Sequence, residues 1–270
     1  MSLNLPKISI ITPSFNQANF IEQTITSVLD QGYPDLEYIV MDGGSTDGTL
    51  DVLRKYGDRI NWISEPDRGQ SHAINKGLRL ATGEVIAFLN SDDLYEPCTL
   101  LKVGEFFTFH PKASWLTGKC RIIDHEGHEI RKAITAYKNF WLNLKSYRAL
   151  LVLDYISQPA TFWRRKVIEQ IGEFNENLRY AMDYDYSLRV GQLFKLWVLN
   201  EYLASFRIHP LSKAGSSAHR QFDVDLEIAK GYTTSTLLLG FHAIHNTLIV
   251  SIYRYLLRGK RANSQFTSKV

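Results

Sequence analysis

Glu84-Val85-Ile86-Ala87-Phe88-Leu89-Asn90-Ser91-Asp92-Asp93-Leu94-Tyr95 drives five apolar residues straight into a polar segment with two adjacent carboxylates. The apolar run is short, continuous and bounded by Gly83 before it and Asn90-Ser91 after it. That pattern reads as a strand buried on both faces, as in a parallel sheet. Ligands of open α/β sheets sit beyond the carboxyl ends of the strands, so Asp92 and Asp93 are expected to project into a cleft. Neighbouring carboxylates repel one another, and a divalent cation relieves that repulsion; Mg²⁺ takes one or two carboxylates and completes its shell with water and substrate phosphates. Taken alone, an Asp-Asp pair is more often a solvated acidic turn.

Working outward, Ile74, Gly77, Leu78 and Ala81 form a helical stripe just before this strand, with Gly83 as its expected C-cap and Asn75 and Lys76 beside it. Lys76 is either a phosphate contact or a solvated lysine. Ile60–Glu65 reads as a strand, and Pro66-Asp67-Arg68-Gly69 turns the chain after it. Leu36–Met41 is another strand, running into Asp42-Gly43-Gly44-Ser45-Thr46-Asp47-Gly48, where glycines admit a close ligand and Asp and Ser offer hydrogen bonds. The spacing of that loop is not G-x-G-x-x-G, so it is no dinucleotide fingerprint. The first strand, Lys7–Thr12, is expected to stop at Pro13, with Ser14-Phe15-Asn16-Gln17 as a loop. Asn19 and Glu22 resemble a capping box for the helix of Ile21, Ile25, Val28 and Leu29. After Asp93, Pro97 opens a helix of Leu100, Val103 and Phe107. Alternating strands and helices with short loops predict an α/β fold, a mostly parallel sheet flanked by helices. Three polar loops, 12–17, 42–47 and 90–93, then open on one edge and share one site.

The chain has 270 residues, 44% hydrophobic content and a formal net charge of +3. That supports one large core with a smaller attachment and gives no reason to expect nucleic acid. Two cysteines, Cys98 and Cys120, fit a reducing, cytoplasmic compartment and offer no metal-binding spacing. Met1–Lys7 does not read as a signal peptide.

In order and spacing, the segments Ile8–Asn16, Tyr38–Thr49, Asn75–Gly77 with Ala81–Glu84, and Phe88–Asp93 resemble the family 2 glycosyltransferases of GT-A fold. The resemblance covers roughly residues 5 to 210 and implies a GT-A-like, Rossmann-type sheet with a C-terminal helical extension. It implies a nucleotide-sugar donor, a UDP-sugar favoured, bound by Thr12, Pro13, Ser14, Asn16, Asp42, Ser45, Asp67, Asn75, Lys76 and Asp92. It also implies a divalent cation, Mn²⁺ or Mg²⁺, on Asp92 and Asp93, the end of the family's acidic motif. Many members read Asp-Asp-Gly-Ser where this chain has Asp42-Gly43-Gly44-Ser45, so a carboxylate that can touch the base is missing. The acidic motif often begins with Asp where Asn90 stands.

In the second half, Ala113–Thr117, Ile156–Arg164 and Leu196–Leu199 read as strands, Arg121–Lys132 as a hairpin around Glu126-Gly127, and Phe140–Leu153 as helical. Ala181-Met182-Asp183-Tyr184-Asp185 resembles the family segment carrying the catalytic base, usually Glu-Asp at a helix start. Met182 replaces the Glu, so the base role passes to Asp183 alone; Asp185 either supports it or pairs with Arg189 at i,i+4. Arg207-Ile208-His209 is similar to a stretch that places a His near the metal in related enzymes, and imidazole suits Mn²⁺ better than Mg²⁺. Past Glu227 the chain has no acid, while Leu237, Phe241, Ile244, Leu248, Ile252 and Tyr255 recur at helical spacing. His242, His245, Asn246 and Arg254 make this a poor transmembrane span. It fits a helix packed on the domain, on a second subunit, or on the inner face of a membrane.

The expected organisation is a glycosyltransferase domain at 1–225, with a donor half to about 118 and an acceptor half from about 119, followed by a basic amphipathic helix and tail at 226–270. The expected activity is inverting, metal-dependent transfer to a glycan or lipid-linked hydroxyl in polysaccharide or cell-surface glycan synthesis. One alternative is a nucleotide-sugar-binding protein without turnover. A nucleotidyltransferase is disfavoured because Thr12–Gln17 has no Gly, Lys or Arg to cradle a triphosphate.

Overall fold

The computed structural model describes residues 4–210, 212 and 218–267, with backbone alone at 218–223 and 252–267. Eight strands form one sheet: β1 (Ile8–Ser14), β2 (Leu36–Asp42), β3 (Asn61–Ser64), β4 (Val85–Phe88), β5 (Leu94–Tyr95), β6 (Trp115–Ile123), β7 (Thr161–Arg164) and β8 (Leu196–Arg207). Their spatial order is β3-β2-β1-β4-β7-β6-β8-β5. β3, β2, β1 and β4 are mutually parallel, β7 runs against both β4 and β6, β6 and β8 are parallel, and β5 is antiparallel to β8. The chain moves outward from β1 to β2 and β3 and returns on the other side with β4. That reversal is a switch point, where open α/β sheets form their crevice.

The sheet is buried on both faces because its strands alternate between two cores. Ile11, Ile39, Met41, Ile86, Phe88 and Trp163 enter one, while Ile10, Tyr38, Val40, Val85, Ala87 and Phe162 enter the other. Helices α1 (Ile21–Leu29), α2 (Thr49–Arg54), α3 (Gln70–Leu80) and α4 (Thr99–Phe109) supply the expected crossovers. α5 (Lys132–Leu144), α6 (Tyr147–Leu150), α7 (Arg165–Ile171), α8 (Met182–Leu193), α9 (Ala218–Lys230) and α10 (Thr236–Thr267) follow among the described residues. β6 passes through residue 118, so the two halves expected to divide near that residue share one sheet.

Several local expectations are corrected. β1 does not stop at Pro13 but continues to Ser14. Its ladder with β4 ends at Ile11–Phe88, so the missing Pro13 N–H interrupts no required rung. Asn19 is no cap: α1 starts after Phe20, which makes no side-chain cap, and the Gln17 carbonyl receives the amides of Phe20 and Ile21 instead. Gly83 is not the C-cap of α3, which ends at Ala81. A Cβ at Gly83 would lie 2.5 Å from Ser9 Oγ and 2.6 Å from its nitrogen, so the glycine is needed for close passage beside β1. The strand anticipated at Leu196–Leu199 runs on to Arg207 as β8, and most of Ile156–Arg164 is a turn leading into β7. The apolar positions Ile252 and Tyr255, and Lys269, lie outside the described side chains.

Candidate active site

The carboxyl ends of β1, β2, β4 and β8 share one edge, and β7, being antiparallel, begins there. The first two loops are knitted together. Asn16, held at φ 52°, donates its backbone N–H to Ser45 Oγ at 2.7 Å, and its Oδ1 receives Thr46 N–H at 2.9 Å. Gln17 and Ala18 donate to Thr49 and Asp47. Asp42 is fully buried at the hub of its own turn: its carboxylate accepts from the amides of Gly44 and Ser45 and from the hydroxyls of Ser45 and Ser64. All four bonds are internal, so Asp42 shapes the loop. Thr12 Oγ1 pairs with Tyr38 OH at 3.1 Å, whereas the buried Ser14 Oγ at the strand end has no protein partner.

Gly43, where a second family carboxylate is absent, faces Asp67. A Cβ built there would fall 2.6 Å from Asp67 Oδ2 and 3.3 Å from the Phe15 ring. The Asp67 carboxylate thus occupies the room that a longer side chain at 43 would take. The Phe15 ring is 58% exposed beside it. Sequence reading had passed over Phe15 because a single loop aromatic carries no pattern. Asn75 and Lys76 both have protein partners. Asn75 is buried and braces the backbone of Phe174 through both amide atoms, with a further bond to Glu176. Lys76 is paired with Glu65 at 3.0 Å.

The two adjacent aspartates separate completely. Asp93 is 0% exposed; one oxygen accepts the Arg207 backbone N–H at 2.8 Å and the other Asn90 Nδ2 at 3.0 Å. Burial and the neighbouring Asp92 charge hold its pKa well above the usual carboxylate range. It ties β8 to the acidic loop and does not face the cleft. Asp92 does, with Oδ2 at 3.0 Å from His209 Nε2. His209 is held against the Phe20 ring, 4.4 Å between centroids. Arg207, buried, fixes both neighbours: its guanidinium donates to the carbonyls of Asp92, Asp124 and His125 and to Gln23. The convergence of one carboxylate and one imidazole at 3.0 Å fits a divalent cation, Mn²⁺ above Mg²⁺. Asp124, Glu126 and His128 also bring ligand atoms within 4.8 Å of one another, but on a surface turn whose Asp124 carboxylate caps the amides of Glu126 and His128.

Asn90 links this loop to the far side. Its Oδ1 receives Gln70 Nε2 at 2.6 Å, and Gln158 donates to the Phe88 carbonyl at 2.6 Å. Gln158 then lines a cavity of about 10 Å³ with Thr161, Trp163, Phe174, Asp183 and Ser187, about the space of one water. Asp183 sits in the first turn of α8, where the helix dipole favours an anion. Among the described residues none donates a hydrogen bond to its carboxylate. Asp185 is paired with Arg189 at 3.1 Å and accepts from Tyr232 OH at 2.6 Å. Two further acids bear on Asp183. Burial pushes Asp154 up to about 7, reinforced by the Asp183 charge. Asp225 is pushed up to about 9 by burial and by the charges of Asp154 and Asp183. Neither carries a motif, since they come from a loop and from α9.

Residues 9–172 match the family described as Glycosyl transferase family 2. The chain belongs to that family. It is a glycosyltransferase of GT-A fold. Over 207 residues it is 43% identical to the Bacillus subtilis protein named as teichuronic acid biosynthesis glycosyltransferase TuaG, covering 75% of this chain and 79% of that one. Among solved structures, S. aureus TarS 1-349 in complex with UDP-GlcNAc superposes with a TM-score of 0.65 at 20% identity, covering 88% of this chain and 71% of TarS 1-349. Mannosyltransferase PcManGT from Pyrobaculum calidifontis, in complex with GDP-Man and Mn2+, gives a TM-score of 0.63 at 19% identity, covering 97% and 81%. At those identities the two structures speak for the fold.

Proposed function

We propose that this glycosyltransferase moves a sugar from a nucleotide-sugar donor to an acceptor hydroxyl, with inversion and with a divalent cation, in the synthesis of a cell-surface glycan. The observation that carries this reading is the pairing of Asp92 with His209 at the sheet edge, together with the Asp183 carboxylate, to which no described residue donates, in the first turn of α8. The teichuronic acid name of the Bacillus relative supports the glycan assignment. The UDP-GlcNAc complex of TarS and the GDP-Man and Mn2+ complex of PcManGT support a nucleotide-sugar and a metal.

In this reading Phe15 offers a ring face to the base, Asp67 accepts from a base N–H, and Ser14 Oγ meets the ribose. Asp92 and His209 would hold the cation, which supplies charge neutralisation to the departing diphosphate. The cations nearest the edge are already engaged: Lys76 by Glu65, Arg68 by Glu176, and Arg207 by carbonyls. The acceptor oxygen attacks the anomeric carbon as the bond to the diphosphate oxygen breaks on the opposite face. Asp183 takes the acceptor proton, and a single displacement inverts the centre, as in inverting glycosidases where a carboxylate activates water.

Asp183→Asn should abolish transfer while donor binding, read as a thermal shift with UDP- and GDP-sugars plus Mn²⁺, stays near normal. Loss of donor binding together with transfer would overturn the base assignment.

A further inference from the structure

α10 is apolar on two sides. Its inner side is docked: His242, 1% exposed, meets the Leu151 carbonyl at 2.8 Å through Nδ1, His245 stacks on Tyr137 of α5 at 6.1 Å, and Leu238 and Leu239 pack on the core. Its outer side presents Leu237, Phe241, Ile244 and Leu248, each more than half exposed, at spacings of one helical face. The neighbouring α5 adds Phe140 and Leu144, 62% and 52% exposed. A helix that is apolar all round is ordinarily covered all round, and contiguous exposed apolar surface marks an interaction site.

Charge decides among the occupants. Six of the 31 Lys and Arg residues, and none of the 28 Asp and Glu, follow Glu227, so residues 1–227 carry a formal −3 and the remainder +6. Arg254, Arg258, Lys260 and Arg261 lie within α10 itself, C-terminal to the apolar stripe. A symmetric pair of such helices packed parallel would bring these like charges together. An anionic lipid surface instead answers both halves of the helix, taking the apolar side chains at the headgroup boundary and the basic stretch at its negative potential. No helix among the described residues is long and apolar enough to cross a bilayer, so the contact lies in the plane of the surface.

We propose that the outer face of α10, with Phe140 and Leu144 of α5, is a docking surface for an anionic lipid bilayer. This does not depend on the donor or the reaction. The test is co-sedimentation of the full chain with vesicles of phosphatidylcholine alone and of phosphatidylcholine mixed with phosphatidylglycerol, beside light scattering for mass. The expected result is binding to the mixed vesicles only, weakened by salt. It should fall at least about tenfold in Phe241→Asp/Ile244→Asp, and again in Arg254→Glu/Arg258→Glu, with cooperative melting kept in both. The apolar residues are exposed, so the fold should tolerate the first pair; the second pair tests the charge arm independently. No binding by the unaltered chain overturns the proposal. So does equal binding to neutral vesicles, or a dimer that Phe241→Asp breaks while vesicles are ignored.

Discussion

The edge proposed to hold the donor and the Asp183 side proposed to receive the acceptor are built on opposite principles. At the donor edge, loops 12–17 and 42–49 are laced by backbone amides onto Asp42, Ser45, Asp47 and Thr49, so little of their polar capacity is left over. On the Asp183 side no described residue donates to that carboxylate, and the half-buried Asp154 and the buried Asp225 bear on it at raised pKa. A binding edge benefits from rigidity, because ordering is complete before the ligand arrives. A proton acceptor benefits from an unsatisfied carboxylate, because each bond to its charged form lowers its basicity.

The largest expected break in that contrast is at Asp92. Asp92→Ala should reduce transfer by about 10²–10³-fold, the range for losing one charge-stabilising group, and should erase the Mn²⁺ dependence of donor binding. Calorimetric titration with Mn²⁺ and nucleoside diphosphate would show it; an unchanged metal response would place the cation elsewhere. The neighbouring Asp93→Ala should act differently, costing about 3 kcal/mol of stability by leaving the Arg207 N–H and the Asn90 amide unpaired. Chemical denaturation separates the two: a stable Asp93→Ala with lost metal binding would contradict the buried geometry.

A smaller effect sharpens the donor side. Gly43→Asp should weaken donor binding about tenfold, a difference of about 1.4 kcal/mol, because its side chain enters the space of Asp67 Oδ2 and sets two like charges together. Asp67→Ala in the same chain should recover part of the loss, measured as donor dissociation constants. Failure of the double variant to recover would mean the two positions are not exchangeable.

The last effect concerns Asp225 and the pH dependence of stability. Its folded pKa, about 9, lies above the unfolded value near 3.8, so between those pH values the folded chain binds more protons than the unfolded one. Stability therefore falls as pH rises through that window. Asp225→Asn removes this loss, so its melting temperature should gain on the wild type progressively from pH 5 to 9. Parallel melting curves across that range would contradict the burial of the charge.

Much of this was readable in the chain. The buried β4 and the three loops on one edge follow from local apolar runs and loop composition, because a parallel sheet buries each strand on both sides and leaves its polar residues at the ends; the family was carried by the resemblance of the ordered segments from Ile8 to Asp93. The position of Asp92 and Asp93 just past the carboxyl end of β4 put both at the edge. Tertiary structure alone decided which of two adjacent aspartates meets solvent: successive residues point apart, and β8, more than a hundred residues later, takes up Asp93 with an amide and brings His209 to Asp92. It likewise turned Asn75 inward, filled the Gly43 position with Asp67, and set Asp154 and Asp225 beside Asp183. Those are meetings of residues distant in sequence, governed by space and desolvation, and no local pattern records them.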